Sequence, residues 1–333
     1  MESITLIELC FARELQLESG AIRFFGGDLV NDLPKKAVVI TGASSGIGRA
    51  AVVRMVQSGW RVFGAVRKAQ DGDRLRSDFG ASITPLILDV TDRASVKAGA
   101  ETVSFELHES GLDGLVNVAG VGKVRPVEYM SQDGLREIFD INIFGQIAVT
   151  QAFLPLLRTT CGRIVNITSV GAHIAIPFGS LINASKSAFG ILSDTLRLEL
   201  HPFGIQVSVI EPGAIKTPAV DKTLGDVEAV IRSLPADGAA QYGEMLRAFA
   251  RRAYEREMNG SSPDVVAQAI HHALTATQPR TRYRVGKHAT LLPFLAAVLP
   301  DRLLDKIRFR IVGMPGKFGA AKLIDERKVK DAA

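Results

Sequence analysis

From residue 36 to about residue 285, short apolar and β-branched runs alternate with longer amphipathic segments. This alternation predicts a parallel sheet whose strands are joined by crossover helices. The predicted strands are residues 37–41, 61–66, 83–88, 114–118, 163–168, 205–210 and 281–285. The predicted helices are residues 46–58, 94–108, 132–157, 180–200 and 263–276, the last with Ser262 as its N-cap. We therefore expect a doubly wound α/β fold in a single domain.

The composition fits a globular enzyme-sized chain. Of 333 residues, 47% are hydrophobic and 23% charged, which is enough apolar sequence for a large core. Only two cysteines occur, Cys10 and Cys161, and they are too few and too far apart in sequence to suggest a disulfide framework or a metal site. We therefore expect a reducing, cytoplasmic location.

Neither end of the chain resembles a secretory signal or a membrane span. Glu2, Glu8 and Glu14 interrupt the apolar residues of the N-terminus, and we assign no chemistry to residues 1–34. No stretch reaches the roughly 18 to 20 uninterrupted apolar residues that cross a bilayer, and the nearest candidate, residues 290–299, is far too short. Residues 280–333 hold thirteen Lys or Arg against five Asp or Glu, a net charge of +8. These basic residues are not interleaved with aromatic residues, so a nucleic-acid partner is not expected.

Two segments in the last part of the chain carry apolar residues that allow more than one interpretation. The connection formed by residues 217–259 is far longer than the usual loop of about four to six residues, and we expect a helical lid there. Its apolar residues at helical spacing are Tyr242, Met245, Leu246, Phe249 and Ala253. They could pack on the core, line an apolar substrate pocket, or do both. Residues 291–310, apolar and then basic, could contact a membrane surface or pack beside the lid.

The first predicted strand runs directly into the turn TGASSGIG, which precedes a helical pattern. Gly42 permits the tight turn, Gly46 allows the backbone to approach a pyrophosphate, and Gly48 allows the helix to lie close to the strand. The helix N-terminus offers free N–H groups to the anion. Because the turn lies inside a βαβ unit, it indicates a dinucleotide site.

Further motifs follow in chain order. LDVTD contains Asp89 and Val90, NVAG covers residues 117–120, FDINIFG contains Asn142, NITSVGA contains Ser169, and EPGAIKTP covers residues 211–218. Together with the glycine turn, these motifs resemble the short-chain dehydrogenase/reductase family over residues 36 to about 287. The TRYRVG strand and the lid resemble the branch that includes 17β-hydroxysteroid and retinol dehydrogenases.

The resemblance implies a Rossmann-type fold and a set of site residues. The implied cofactor contacts are Gly42, Ser44, Ser45, Gly46, Ile47, Gly48, Arg67, Asp89, Val90, Asn117, Ala119, Gly120, Lys186, Pro212, Gly213, Ile215 and Thr217. Ser169 would polarise the substrate oxygen, Lys186 would hold the nicotinamide ribose, and Asn142 would position the lysine through water. Family members are often dimers or tetramers, so a homo-oligomer is expected.

The end of the second predicted strand indicates which cofactor binds. A carboxylate at this position would bind the ribose hydroxyls of NAD, whereas a guanidinium would pair with the 2′-phosphate of NADP. Val66 occupies the acidic position, and Arg67 and Lys68 follow it. The sequence therefore favours NADP(H) over NAD(H).

Position 182 departs from the family pattern. The family places a tyrosine four residues before the lysine, on the same helix face, as the proton donor to the substrate oxygen. Here Ile182 precedes Lys186, and isoleucine has no proton to give. Tyr129, Tyr242 and His173 are the substitutes that the sequence offers.

Three hypotheses follow. The chain could be an NADP(H)-dependent oxidoreductase for an apolar alcohol or carbonyl compound, with turnover impaired at Ile182. It could reduce an imine or an activated alkene, which needs no acid on oxygen. It could bind NADP without catalysis, although Asn142, Ser169 and Lys186 would then be expected to have eroded. The expected organisation is an N-terminal extension (1–34), the nucleotide-binding domain (35–287) and a basic extension (288–333), with no metal site.

Overall fold

The structure, a computed structural model, describes residues 35–315. Seven parallel strands form one sheet in the order β3-β2-β1-β4-β5-β6-β7. The strands are β1 Ala37–Ile40, β2 Arg61–Val66, β3 Ile83–Ile87, β4 Gly114–Asn117, β5 Arg163–Ile167, β6 Gln206–Pro212 and β7 Arg282–Val285. All seven strands predicted from the sequence are confirmed, with shifts of one or two residues at their ends.

Twelve α-helices lie within residues 35–315. They are α1 Gly46–Gln57, α2 Ala69–Phe79, α3 Arg93–Leu107, α4 Gln132–Phe139, α5 Gly145–Thr160, α6 Ser180–Leu200, α7 Ala219–Leu224, α8 Val227–Arg232, α9 Ala236–Met258, α10 Asp264–Thr275, α11 Leu291–Val298 and α12 Asp301–Val312. Helix α10 begins one residue later than predicted, so Pro263 and not Ser262 is its N-cap. The Ser262 hydroxyl, one residue further out, still accepts the N–H of Asp264 at 3.2 Å.

The central strands are buried on both faces because alternate side chains pack against helices on opposite sides. Val38 and Ile40 of β1 join a core cluster with α1, α2 and α10. Val39 of the same strand joins a second cluster with α3, α5 and α6, represented by Val103 and Phe153. The doubly wound fold expected from the alternation is confirmed.

The long helix predicted over residues 132–157 is interrupted. A π-helical turn, Asp140–Phe144, separates α4 from α5 and contains the fully buried Asn142. The apolar pattern continues through this turn, so the sequence did not indicate it. Such turns occur frequently at functional sites.

The same helical stretch, Gln132–Thr160, is long and apolar enough to cross a membrane by length and composition alone. Its Val149, Phe153 and Leu157 are buried in the core of this fold. It is therefore the core helix of the α/β sandwich. Cys161, immediately after α5, is disulfide-bonded, so the expectation drawn from the cysteine spacing does not hold at this residue.

Residues 217–259, the lid segment, contain α7, α8 and α9. Leu246, Phe249 and Ala253 of α9 are buried in a third apolar cluster, and Tyr242 and Met245 pack against it. The cluster also includes Val312 at the end of α12, which ties the C-terminal helices to the lid segment. The predicted apolar face of α9 is confirmed. The predicted N-terminal extension, residues 1–34, lies outside the described residues.

Candidate functional site

A groove of about 220 Å³ lies at the carboxyl ends of β1 and β4, where the strand order of the sheet reverses. This switch point is where ligands bind in open α/β sheets. Twelve of the predicted cofactor residues line it: Gly42, Ser44, Ser45, Gly46, Ile47, Gly48, Arg67, Asp89, Val90, Ala119, Gly120 and Thr217. We call it the glycine-turn groove.

The glycines of the turn are required by close approaches of the backbone. Gly42 and Gly46 have φ angles of +65° and +54°, in the region that favours glycine. At Gly48 an added Cβ would lie 2.1 Å from the carbonyl oxygen of Gly42. The helix α1 starts at Gly46 and has no side-chain cap, so its first N–H groups face the groove. This arrangement fits a dinucleotide pyrophosphate.

Sequence reasoning missed Thr41, which fixes the opposite wall of the groove. Its Oγ1 accepts the N–H groups of Val118 and Ala119 at 2.9 and 3.1 Å, and so holds the loop that follows β4 against the glycine turn. Lys222 of α7, also missed, lines the groove from the lid segment. No local pattern indicates either residue, because each contacts the groove only through the fold.

The remaining predicted cofactor residues lie elsewhere. Asn117 is buried and donates to Thr150 Oγ1 at 3.1 Å and Asn166 Oδ1 at 2.9 Å, so it joins β4 to its neighbours and does not line the groove. Pro212 is buried at the end of β6, while Gly213 and Ile215 line a second cavity.

The second cavity, which we call the apolar cavity, measures about 250 Å³. Ser169 and Ile182 form part of its wall, and Phe249 and Ala253 bring the apolar face of α9 to it. Thr217 and Ala219 line both this cavity and the glycine-turn groove. The two spaces therefore adjoin.

The short helix α7 stands between the two spaces. Lys222 lines the groove, whereas Val220, Thr223 and Leu224 line the apolar cavity. Successive residues of a helix point in different directions, so one and a half turns are enough to form a wall with two faces.

Lys186 on α6 is buried beside the groove. Its Nζ donates to the carbonyl oxygen of Ile167 at 2.8 Å, and burial lowers its pKa to about 8. A Cβ added at Gly120, which lines the groove, would lie 3.3 Å from both Lys186 Nζ and Asn142 Oδ1. The side chains of Lys186 and Asn142 therefore both lie next to Gly120.

Both polar atoms of the Asn142 side chain form hydrogen bonds within the protein. Its Nδ2 donates to the Val121 carbonyl oxygen and to the Ser185 hydroxyl, both at 2.9 Å, and its Oδ1 accepts the Val121 N–H at 2.8 Å. It therefore fixes the loop after β4 to α6, one residue before Lys186.

Ser169 and Ile182 face the cavity from different elements. The Ser169 Oγ accepts the N–H of Gly171 at 3.0 Å, which orients the hydroxyl and leaves its proton free to be donated. The half-buried Ile182 packs beside Gly122 and Thr223, because a Cβ built at Gly122 would lie 2.7 Å from Ile182 Cδ1 and 2.9 Å from Thr223 Cγ2.

None of the three substitute proton donors lines the apolar cavity. The Tyr242 hydroxyl donates to Glu128 at 2.9 Å, and that hydrogen bond raises the pKa of Tyr242. Tyr129 packs edge-on against Tyr242. His173 Nε2 lies 2.6 Å from Glu211 Oε1. These contacts do not support a role as the acid on the substrate oxygen.

A buried carboxylate that sequence reasoning missed organises the loop after β5. Glu211 on β6 is fully buried and contacts His173, Arg282 and Arg284, the last at 3.0 Å. Burial alone raises the pKa of Glu211, but the hydrogen bonds from His173 and Arg284 and the charge of Arg282 outweigh it, so this pKa lies below its ordinary value. The loop that carries Ser169 is thereby tied to β6 and β7.

Comparison with known proteins agrees with this geometry. Residues 36–227 match the model of the short chain dehydrogenase family. The chain is 36% identical to retinol dehydrogenase 5 of Mus musculus over 84% of this chain and 90% of that protein. It is 34% identical to dehydrogenase/reductase SDR family member 9 of Homo sapiens over 83% and 89%.

Among solved structures, a short-chain dehydrogenase from Streptomyces avermitilis superposes with a TM-score of 0.66 at 28% identity. The match covers 85% of this chain and 98% of that one. With the family model, the two relatives and the groove at the switch point in agreement, the chain belongs to the short-chain dehydrogenase family of oxidoreductases.

Proposed function

We propose that the protein is an NADP(H)-dependent oxidoreductase for an alcohol or carbonyl group on an apolar small molecule, with turnover limited by Ile182. The observation that carries this proposal is the shared wall, in which Thr217 and Ala219 line both the glycine-turn groove and the apolar cavity. A cofactor in the groove and a substrate in the cavity would therefore meet at this wall. The relatives named as retinol dehydrogenases support an apolar substrate.

Ser169, Lys186 and Asn142 each have a separate role in the proposed reaction. When bound, a nicotinamide cofactor supplies or accepts the hydride. In this proposal the Ser169 hydroxyl donates a hydrogen bond to the substrate oxygen, and Lys186 binds the ribose hydroxyls beneath Gly120. Asn142 ties the loop after β4 to α6, the helix that carries Lys186. No side chain at position 182 delivers the proton, so solvent must do so, which slows the reaction.

Loss of a positioned general acid costs about 10²- to 10⁴-fold in rate. The alternative that avoids this cost is reduction of an imine or an activated alkene, whose product needs no acid on oxygen. A third alternative, a non-catalytic NADP-binding protein, is disfavoured because the contacts of Asn142, Ser169 and Lys186 are intact.

The function is tested by titrating the purified protein with NADPH and NADH, following cofactor fluorescence, and then assaying apolar ketones and alcohols. We expect binding of NADPH and slow turnover of ketones. Binding without turnover of ketones, together with reduction of imines or alkenes, would replace the first hypothesis with the second. No binding of either cofactor would contradict both.

The preference for NADPH is predicted to depend on Arg67. This residue lines the groove, whereas Lys68 next to it does not. Because a hydrogen bond to a charged group contributes about 1.5 to 3 kcal/mol, Arg67→Ala should weaken NADPH binding about 10- to 100-fold. Affinity for NADH should change little, since NADH has no 2′-phosphate. Lys68→Ala is the matched control, and an equal loss in both variants would point to the general charge of the segment instead.

The close approach at Gly48 gives a second prediction. Gly48→Ala forces the turn to open, because the clashing atom is backbone and cannot move aside. Overpacking of this kind costs about 1 to 3 kcal/mol, so opening of the turn should lower NADPH affinity about 5- to 150-fold. Gly190→Ala in α6 is the control, since its Cβ would meet no atom within 4 Å. Unchanged affinity in Gly48→Ala would mean that the turn does not hold the cofactor.

We further propose a homo-oligomer formed through α5, the π-helical turn before it, and α6. Phe144 of the turn and Ile191 and Leu198 of α6 are each at least 60% exposed. Light scattering of the purified protein tests this assembly, and a monomer would refute it. A peripheral membrane contact would use α11, whose Leu291, Phe294 and Val298 are exposed. The absence of a nucleic-acid partner remains a prediction. A cytoplasmic location also remains a prediction, and the disulfide at Cys161 removes the cysteine argument for it.

A further inference from the structure

A basic cleft adjoins the apolar cavity. It measures about 620 Å³ and is formed by α9, the end of α12 and the turn after β7. Its charged and polar side chains are Arg251, Arg252, Glu255, Arg256, Asn259, Lys287 and His288. Four lysine or arginine side chains thus face one carboxylate.

The cleft and the apolar cavity share a wall. Arg256, Lys287 and His288 line both spaces. A molecule whose apolar part lies in the cavity can therefore place a polar end among these basic residues. Most of the remaining lining of the cavity is apolar, so this border is where a charged group on a ligand would be accommodated.

The positive charges at the border are only partly neutralised within the protein. Nε and Nη2 of Arg256 lie 3.3 and 3.2 Å from Oε1 of Glu257, while Nη1 has no hydrogen-bond partner among residues 35–315. Lys287 Nζ reaches only the carbonyl oxygen of Asn259, at 3.4 Å. Within the same described range, Arg251 forms no ion pair. Cations gathered around a cleft in this way attract an anion.

The second oxygen of Glu257 is also occupied. Its Oε2 accepts the N–H of Ile215 at 3.3 Å, which anchors the carboxylate against the loop after β6. Glu257 therefore holds Arg256 at the border by its Nε edge and leaves the other edge of the guanidinium open. A guanidinium edge matches the two oxygens of a carboxylate.

We propose that the basic cleft binds the carboxylate of an amphipathic substrate whose apolar body lies in the apolar cavity. The proposal rests on the proposed function for the position of the reacting alcohol or carbonyl group, and it adds the chemical class of the substrate: an apolar hydroxy or keto acid. Arg256 and Lys287 are the residues that select the acid.

The test is a binding measurement that requires no turnover. Dodecanoate and its methyl ester, which share one apolar chain, are titrated by calorimetry into the full chain saturated with NADPH. We expect dodecanoate to bind about tenfold or more tightly than the ester, from one or two charge-assisted hydrogen bonds at a partly exposed site. The double variant Arg256→Gln/Lys287→Gln should lose this preference and keep its affinity for the ester.

Lys97→Gln on α3 is the matched control, because Lys97 is exposed and pairs only with Glu101 on its own helix. It should leave both affinities unchanged. Equal binding of acid and ester, or a preference for the acid that survives the double variant, would overturn the proposal. Dodecyl phosphate is the third probe, and binding tenfold tighter than dodecanoate would assign the cleft to phosphates instead. NADPH affinity is measured separately, so failure of the proposed function is recognised independently of these outcomes.

Discussion

Replacing Ile182 with tyrosine is expected to raise the rate of ketone reduction about 10²- to 10⁴-fold, the usual contribution of a positioned general acid. The side chain at position 182 lines the apolar cavity, so a phenol there would face the substrate. Lys186, one helical turn further on, would lower the pKa of that phenol through its positive charge. The measurement is kcat/KM for apolar ketones with NADPH.

The matched control is Ile182→Phe, which adds the aromatic ring without the hydroxyl. A gain in the tyrosine variant alone would assign the effect to proton donation, whereas an equal gain in both would assign it to packing against Gly122 and Thr223. No gain in either variant, with NADPH still bound, would contradict the idea that proton supply limits this enzyme. The search would then turn to imines and activated alkenes.

The second large effect is expected at Glu211. Glu211→Gln removes a fully buried charge and leaves Arg284 without its carboxylate, while Arg282 keeps its ion pair with Asp194 at 2.6 Å. Removing one partner from a buried ion pair costs about 3 to 5 kcal/mol. Because the two arginines are 26% and 36% exposed and can be rehydrated, we expect the lower end, about 3 kcal/mol of the free energy of unfolding. Denaturant unfolding followed by circular dichroism measures the loss.

Glu106→Gln is the control for this effect. Glu106 also pairs with an arginine, Arg61, but both side chains are about one third exposed, so the loss should stay below about 1 kcal/mol. Equal losses in the two variants would show that burial of Glu211 does not strengthen its network.

The pH dependence of stability follows from the same carboxylate. Its pKa in the folded protein lies below the ordinary value of about 4.3, so its contribution is complete above that value. The contribution is lost as the pH falls through the folded pKa. Wild type should therefore lose more stability than Glu211→Gln as the pH falls below about 4.3. An equal loss of stability in the two proteins over this pH range would contradict the assignment of the pH dependence to Glu211.

Local sequence patterns were sufficient for the sheet and for the glycine turn. Each strand is a short apolar run, and Gly48 is dictated by contacts within its own turn, so both are encoded over a few residues. The apolar face of α9 was also readable, because one helix face carries Leu246, Phe249 and Ala253.

The features that escaped prediction depend on residues brought together by the fold. Glu211 contacts His173 in the loop after β5 and Arg282 on β7. No spacing in the sequence relates the carboxylate to either residue. The border between cavity and cleft joins Arg256 on α9 to the turn after β7. The π-helical turn around Asn142 is invisible in the periodicity because apolar residues continue through it.

The thin wall formed by α7 separates the glycine-turn groove from the apolar cavity, the proposed sites of cofactor and substrate. One face of the helix contacts the groove through Lys222, and the other contacts the cavity through Val220 and Thr223. A ligand that orders this helix from one side presents a finished surface to the ligand on the other side. Thermodynamic linkage makes such an effect reciprocal, so cofactor and substrate would each raise the affinity of the other by the same factor through the six residues Ala219–Leu224.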